Sequence, residues 1–177
     1  MPRIAPIPFA MTAVLLAALG SSAISAQDKD SVKVPNGLAF AEFKGYEDWQ
    51  TIAVSQAGEV MAAILGNPVM IKAYRSGFPA NGEPVPDGAR MAKIHWKTEK
   101  SAEASAPTIV PGVLENVDFM VKDSRRFRDS GGWGYAQFNY DAASDRFMPE
   151  GSGAACGAAC HTLVQAKDYV FTAYPKR

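Results

Sequence analysis

The sequence predicts an α+β domain: a single antiparallel β-sheet with a few helices packed to one side. Three observations carry this. Val113–Asp123 and Trp133–Asp141 alternate apolar and polar residues with the period of two that a strand requires. The helical signals are short and sharply punctuated. Most connections are too brief for the long crossovers that a parallel sheet needs.

The chain opens MPRIAPIPFAMTAVLLAALGSSAISAQ, with Arg3, an apolar run from about Ile4 to Leu19, and then small residues. This is the pattern of a secretory leader, expected to span residues 1–26 and to leave a mature chain beginning at Ala26 or Gln27. About 150 residues remain, a usual size for one domain, expected at 27–177. The chain has 18 basic and 18 acidic side chains. Without Arg3 it stays within one charge of neutral, so no basic face calls for nucleic acid. No segment after the leader is long and apolar enough to span a bilayer.

Lys44–Ala53 (KGYEDWQTIA) is expected to form a short helix and Glu59–Leu65 a buried strand. Asn67 then caps a helix whose first residue, Pro68, has no N–H to leave unpaired, and Gly77 stops it. Phe78–Gly88 is a proline-rich loop leading into a strand over Ala89–Lys97. Alternation places Met91, Lys93 and His95 on one face of that strand and Ala92, Ile94 and Trp96 on the other. Thr98–Gly112, polar and alanine-rich, is expected to be a mobile loop.

The two cysteines, Cys156 and Cys160, stand in CGAACHT, with His161 directly behind the second. Two thiols that add across vinyl groups, followed by an imidazole that reaches the iron, are the parts of a covalent haem site. The usual box has two residues between the cysteines. Here there are three, Gly157, Ala158 and Ala159, an insert that a bulged backbone would accommodate. In an exported chain the same pair also reads as a disulfide. Zinc is disfavoured, since a structural site wants four ligands and only His95 remains to complete one.

From Gly66 onward the chain resembles the cytochrome P-460 family of periplasmic c-type haem proteins, which includes the gas-binding cytochromes c′-β. The matching pieces are GNPVMIKAY, PDGARMAKIHW, DFMVKDSRRF leading to GGWGYAQF, and CGAACHTLVQAKDYVFTAY. The resemblance implies a haem lying against the sheet, one haem c per chain, and a homodimer. It implies that Cys156 and Cys160 bind the cofactor and that His161 is the metal ligand. It puts Lys93 where the family bonds a lysine nitrogen to the porphyrin rim, and Asp118 where it has a distal carboxylate, usually glutamate in hydroxylamine-oxidising members. The chain departs from the family in its longer cysteine spacing, its shorter carboxylate, and Met61 in place of a distal arginine.

The expected function is therefore hydroxylamine oxidation to nitric oxide or nitrous oxide in the periplasm, with Lys93 and Asp118 as catalytic residues and a periplasmic redox partner. The alternatives are nitric oxide or other small-gas binding without turnover, and electron transfer with His95 or Met91 as a sixth ligand. Neither nucleic acid nor membrane is an expected partner. Plainer readings stand beside these: Asp118 as an exposed strand residue, Lys93 as an unmodified lysine, and Phe119, Phe127, Trp133, Tyr135 and Phe138 as core or haem-wall aromatics. Lys122, Arg125, Arg126 and Arg128 read as propionate partners or as a solvated face.

Overall fold

A computed structural model describes residues 29–35 and 37–177; the expected leader lies outside them. Six strands form one antiparallel meander in chain order: β1 (Gln50–Ala57), β2 (Val60–Gly66), β3 (Arg90–Lys100), β4 (Ile109–Lys122), β5 (Trp133–Asp141) and β6 (Arg146–Pro149). Two α-helices, α1 (Pro68–Arg75) and α2 (Gly153–His161), pack on one face, which is the α+β arrangement expected. Short 3-10 turns at Phe40–Phe43 and Tyr46–Asp48 cover the other.

The two faces have separate cores. On the far face Phe40, Phe43, Phe119 and Phe138 are fully buried, with the Phe43 and Phe119 rings stacked 4.1 Å apart. Phe119 and Phe138 are thus packing residues on the side away from α2. Trp133 and Tyr135 belong to the near face, with α1 and the C-terminal tail.

Asn67 behaves as expected and does more. Its side-chain oxygen accepts the N–H groups of Met70 and Arg90, each at 3.0 Å, while its amide donates to the Gly88 carbonyl at 2.9 Å. One cap thereby ties the start of α1 to the start of β3 and sets where β3 enters the sheet.

Two expectations fail. Lys44–Ala53 is not a helix: Gly45 turns left-handed (φ 77°), a single 3-10 turn follows, and β1 begins at Gln50. The strand wins because its ladder with β2 buries Ile52 completely, and tertiary pairing outweighs local propensity. Thr98–Gly112 is not all loop: Thr98, Glu99 and Lys100 pair with Pro111, Val110 and Ile109, leaving only residues 101–108 outside the ladder. This arm of the hairpin carries charge and small residues, so it lacks the apolar alternation that announces a strand.

Candidate functional site

The ladder places Ala53, Ile64, Lys93, Asp118 and Gln137 in one row across β1 to β5, all pointing to the face that carries α2. The next row holds Met91, Met120 and Tyr135. Above these rows α2 and the tail Val170–Pro175 enclose a cleft of about 750 Å³, within the range of small-molecule and cofactor sites. Lys93, Asp118, Cys156, Cys160 and His161 all line it.

The segment between the cysteines is helical, not bulged. Three intervening residues put Cys156 and Cys160 four apart on one stripe of α2, where both are exposed free thiols. A second stripe, Gly153, Gly157 and His161, turns toward the sheet. A Cβ at Gly157 would lie 2.9 Å from the Tyr135 Cβ, and one at Gly153 would lie 3.1 Å from the Gln137 Cβ. The two glycines therefore let α2 lie against β5, and that close approach presents the cysteines to the cleft. Gly157→Val is expected to lift α2 from β5, lowering stability by about 1–3 kcal/mol and reducing the fraction of chains that acquire haem. Thermal unfolding and the haem-to-protein absorbance ratio measure both effects.

His161 is held by its neighbours. Its Nδ1 lies 2.6 Å from the Tyr169 carbonyl, which can only accept, so Nδ1 carries the proton and Nε2 is the bare nitrogen available to a metal. The ring is 5.0 Å from those of Tyr135 and Phe171. Burial lowers its pKa, partly offset by the Tyr169 bond, and the Lys93 cation lowers it further.

Asp118 is neither a free surface aspartate nor fully buried: its side chain is 39% exposed, toward the cleft. Its Oδ1 is buried without a hydrogen-bond partner among the described residues, and burial raises its pKa to about 6 even though the Lys93 cation opposes the rise. His95, one ladder step away, has Nε2 at 3.3 Å from Asp118 Oδ2, close but off the line of a hydrogen bond. Burial first, and Lys93 second, lower the His95 pKa to about 4, so it is neutral at physiological pH. Met91 lines the cleft and His95 does not.

Other expectations are redistributed. Met61 pairs with Trp96, on the opposite face from Lys93, so it does not stand in for a distal arginine; Ala53, Ser55 and Ile64 face the cleft from β1 and β2. The basic cluster does not act together. Lys122 is buried against Asp168, and Arg126 pairs with Glu42. Sequence reasoning missed Gln137, Phe171 and the Tyr169 carbonyl. A carbonyl partner leaves no mark on residue identity, while the GxxxG spacing of Gly153 and Gly157 was a visible sign of a close-packed helix.

These residues fit a flat, ring-bound metal cofactor. Paired thiols face an apolar slot, an imidazole has one free nitrogen, and among the described residues the buried Asp118 Oδ1 and Tyr135 hydroxyl have no hydrogen-bond partner. Among the described residues no group of three His, Cys, Asp or Glu side chains could hold a bare metal ion, so one histidine suits a metal whose remaining ligands come with it. The sequence profile of the cytochrome P-460 family matches residues 43–172, most of the chain, and the protein belongs to that family; membership implies a haem cofactor. No curated protein matches the chain significantly.

Proposed function

We propose that the chain is a periplasmic c-type haem protein, working as a homodimer, that oxidises hydroxylamine to nitric oxide or nitrous oxide. The observation that carries this is a single cleft in which the helix bearing Cys156, Cys160 and His161 faces the Lys93–Asp118 ladder pair. Cys156 and Cys160 would hold the haem by adding their S–H groups across its two vinyls, a redox-neutral attachment, and His161 Nε2 would ligate its iron. Lys93 supplies a third tie through its amine. That bond costs the nitrogen and the ring carbon one hydrogen each, so a two-electron oxidant of the peroxide class must take them up. When bound, the haem would bind a small nitrogen ligand at its iron and accept electrons.

Taking hydroxylamine to nitric oxide releases three protons and three electrons. The electrons pass to a periplasmic redox partner, and the protons need a base in the cleft. Asp118 fits that role: with a pKa of about 6 it is ionised at neutral pH, yet it holds a proton more readily than an ordinary aspartate. Ile64, Met91, Met120 and Val170 keep the surrounding surface apolar, which strengthens the carboxylate's interactions with a small polar substrate.

Asp118→Asn is expected to lower hydroxylamine turnover by about 10²–10⁴-fold with the haem spectrum intact. Wild-type turnover should fall as pH drops through about 6, and the variant should lack that limb. Wild-type rates with an unchanged acid limb in Asp118→Asn would remove Asp118 as the base. The apolar lining favours a second reading, reversible nitric oxide capture, which takes over if the protein binds nitric oxide but leaves hydroxylamine untouched with an electron acceptor present. Electron transfer would need a sixth ligand, and of its two candidates His95 lies outside the cleft lining while Met91 lines it.

A further inference from the structure

The backbone oxygen that holds His161 belongs to an unusual turn. After the 3-10 segment Thr162–Lys167, Asp168 (φ 45°) and Tyr169 (φ 64°) both adopt left-handed backbone conformations, successive non-glycine residues in a region L side chains disfavour. Backbone bonds from Asp168 N–H to Gln165 and from Tyr169 N–H to Val164 close the turn locally. What anchors it to the rest of the domain is the Asp168 side chain. Its Oδ2 accepts the Val85 N–H at 2.8 Å, and its Oδ1 lies 2.7 Å from Lys122 Nζ.

Lys122 is itself only 7% exposed, at the end of β4. Its ammonium donates to the Gly131 carbonyl at 2.9 Å and sits 5.2 Å over the Trp133 ring. Gly131 completes a circuit: a Cβ there would lie 2.1 Å from Tyr169 Cε2, so the Tyr169 ring rests where a side chain would be. Side chain and backbone of the turn are thus clamped at both ends, by the charge pair on Asp168 and by the glycine shelf under Tyr169. Between the clamps, the Tyr169 carbonyl points at His161 Nδ1.

A buried ion pair is a poor source of net stability, because desolvating both charges offsets their attraction. Its geometric effect is larger, since a half-satisfied pair is costly and the turn has few alternatives that keep both charges matched. We infer that Lys122 and Asp168 are positioning residues for His161, holding the left-handed turn that aims the Tyr169 carbonyl at Nδ1. The device fixes the protonated nitrogen, the ring orientation and the electron density at Nε2, in the way outer hydrogen bonds tune metal-bound histidines. This rests on the reading of His161 as the axial ligand.

The test uses the haem-loaded protein and two signals that loss of fold stability alone does not move: the iron–histidine stretching frequency in the ferrous resonance Raman spectrum, and the reduction potential. K122M/D168N removes both charges together and keeps an acceptor oxygen for the Val85 N–H. The stretching frequency is expected to fall and the potential to rise, because a loosened Nδ1–H bond leaves the imidazole a weaker donor. Should that pair give no haem-loaded protein, K122M/D168G serves instead; it permits the left-handed turn but leaves it unpinned, and it should shift both signals the same way. Ile71→Ala, on the buried face of α1, is the control: it should lower the melting temperature and leave both signals in place. Charge-pair variants that melt lower with wild-type signals would show a merely structural pair and overturn the inference. If His161→Ala abolishes the stretch while the charge variants do not shift it, the inference alone fails. If His161→Ala leaves the stretch in place, the ligand reading fails and the inference with it.

Discussion

Lys93→Leu is expected to abolish hydroxylamine turnover, return the ferrous spectrum to that of an ordinary haem c, and leave nitric oxide binding in place. Lys93 is half-buried in the middle of the cleft-facing row, between Ile64 and Asp118, and a nitrogen bonded from there to the porphyrin rim distorts the ring and reddens its absorption. Leucine fills the same volume but cannot form the bond. In the chain before haem is attached, the substitution also removes a cation that lowers the pKa of both neighbours, so there Asp118 should move above its value of about 6 and His95 above its value of about 4. Peptide mapping of the wild-type protein should find haem on two fragments, the one with CGAACH and the one with Lys93. If the wild-type protein already shows the ordinary spectrum and no turnover, the enzyme reading gives way to gas binding.

The same two neighbours pull stability in opposite directions on acidification. The folded-state pKa of Asp118 is raised, so between about 6 and the ordinary aspartate value the folded protein binds the extra proton and gains stability as pH falls. His95, lowered to about 4, contributes stability that is complete above its ordinary value of 6.5 and is lost as pH falls toward 4. Asp118→Asn should therefore raise the melting temperature at neutral pH even as it removes turnover, the usual conflict between a buried charge and the fold around it.

The largest effect on the cofactor is expected from C156A/C160A. Acid denaturation should leave haem on the wild-type polypeptide; the double variant should lose both thioethers and keep haem only through Lys93, and adding Lys93→Leu to it should release all of the haem, while each single cysteine variant keeps one thioether. The reason is positional: four-residue spacing on α2 holds both thiols at the cleft, so neither depends on the other to reach it. Mass measurement and absorbance after acid extraction decide the matter. A chain lighter by two hydrogens and lacking Soret absorption, after expression with a haem c maturation system, would mean that the cysteines pair with each other instead.

Much of the sheet was legible because its strands obey local rules. β4 and β5 alternate cleanly between two cores, and Asn67-Pro68 declares a helix start from two residues. β1 was not legible: TIAVSQA carries a bulge between Thr51 and Ala53 that turns Ile52 inward and breaks the alternation. β6 is a four-residue edge strand with one neighbour, too short to carry a period. α2 carries no wide apolar stripe because GAACGAAC is made of small residues; its one sign is the spacing of Gly153 and Gly157, and its stability comes from lying on Tyr135 and Gln137.

Residue types and spacings by themselves determined which groups could do chemistry: two thiols with an adjoining imidazole, one lysine on the face of β3 shared with His95, and an aspartate in an alternating strand. Only the tertiary structure decided that these groups meet. Antiparallel register sets Lys93 opposite Asp118, two glycines bring α2 down onto β5, and a turn held by the Lys122–Asp168 pair delivers the carbonyl that orients His161. The physical reason is range. Attachment and ligation chemistry belong to individual side chains and survive in the linear sequence. Burial, register and the direction of a backbone oxygen arise only when segments far apart in the chain exclude water between them.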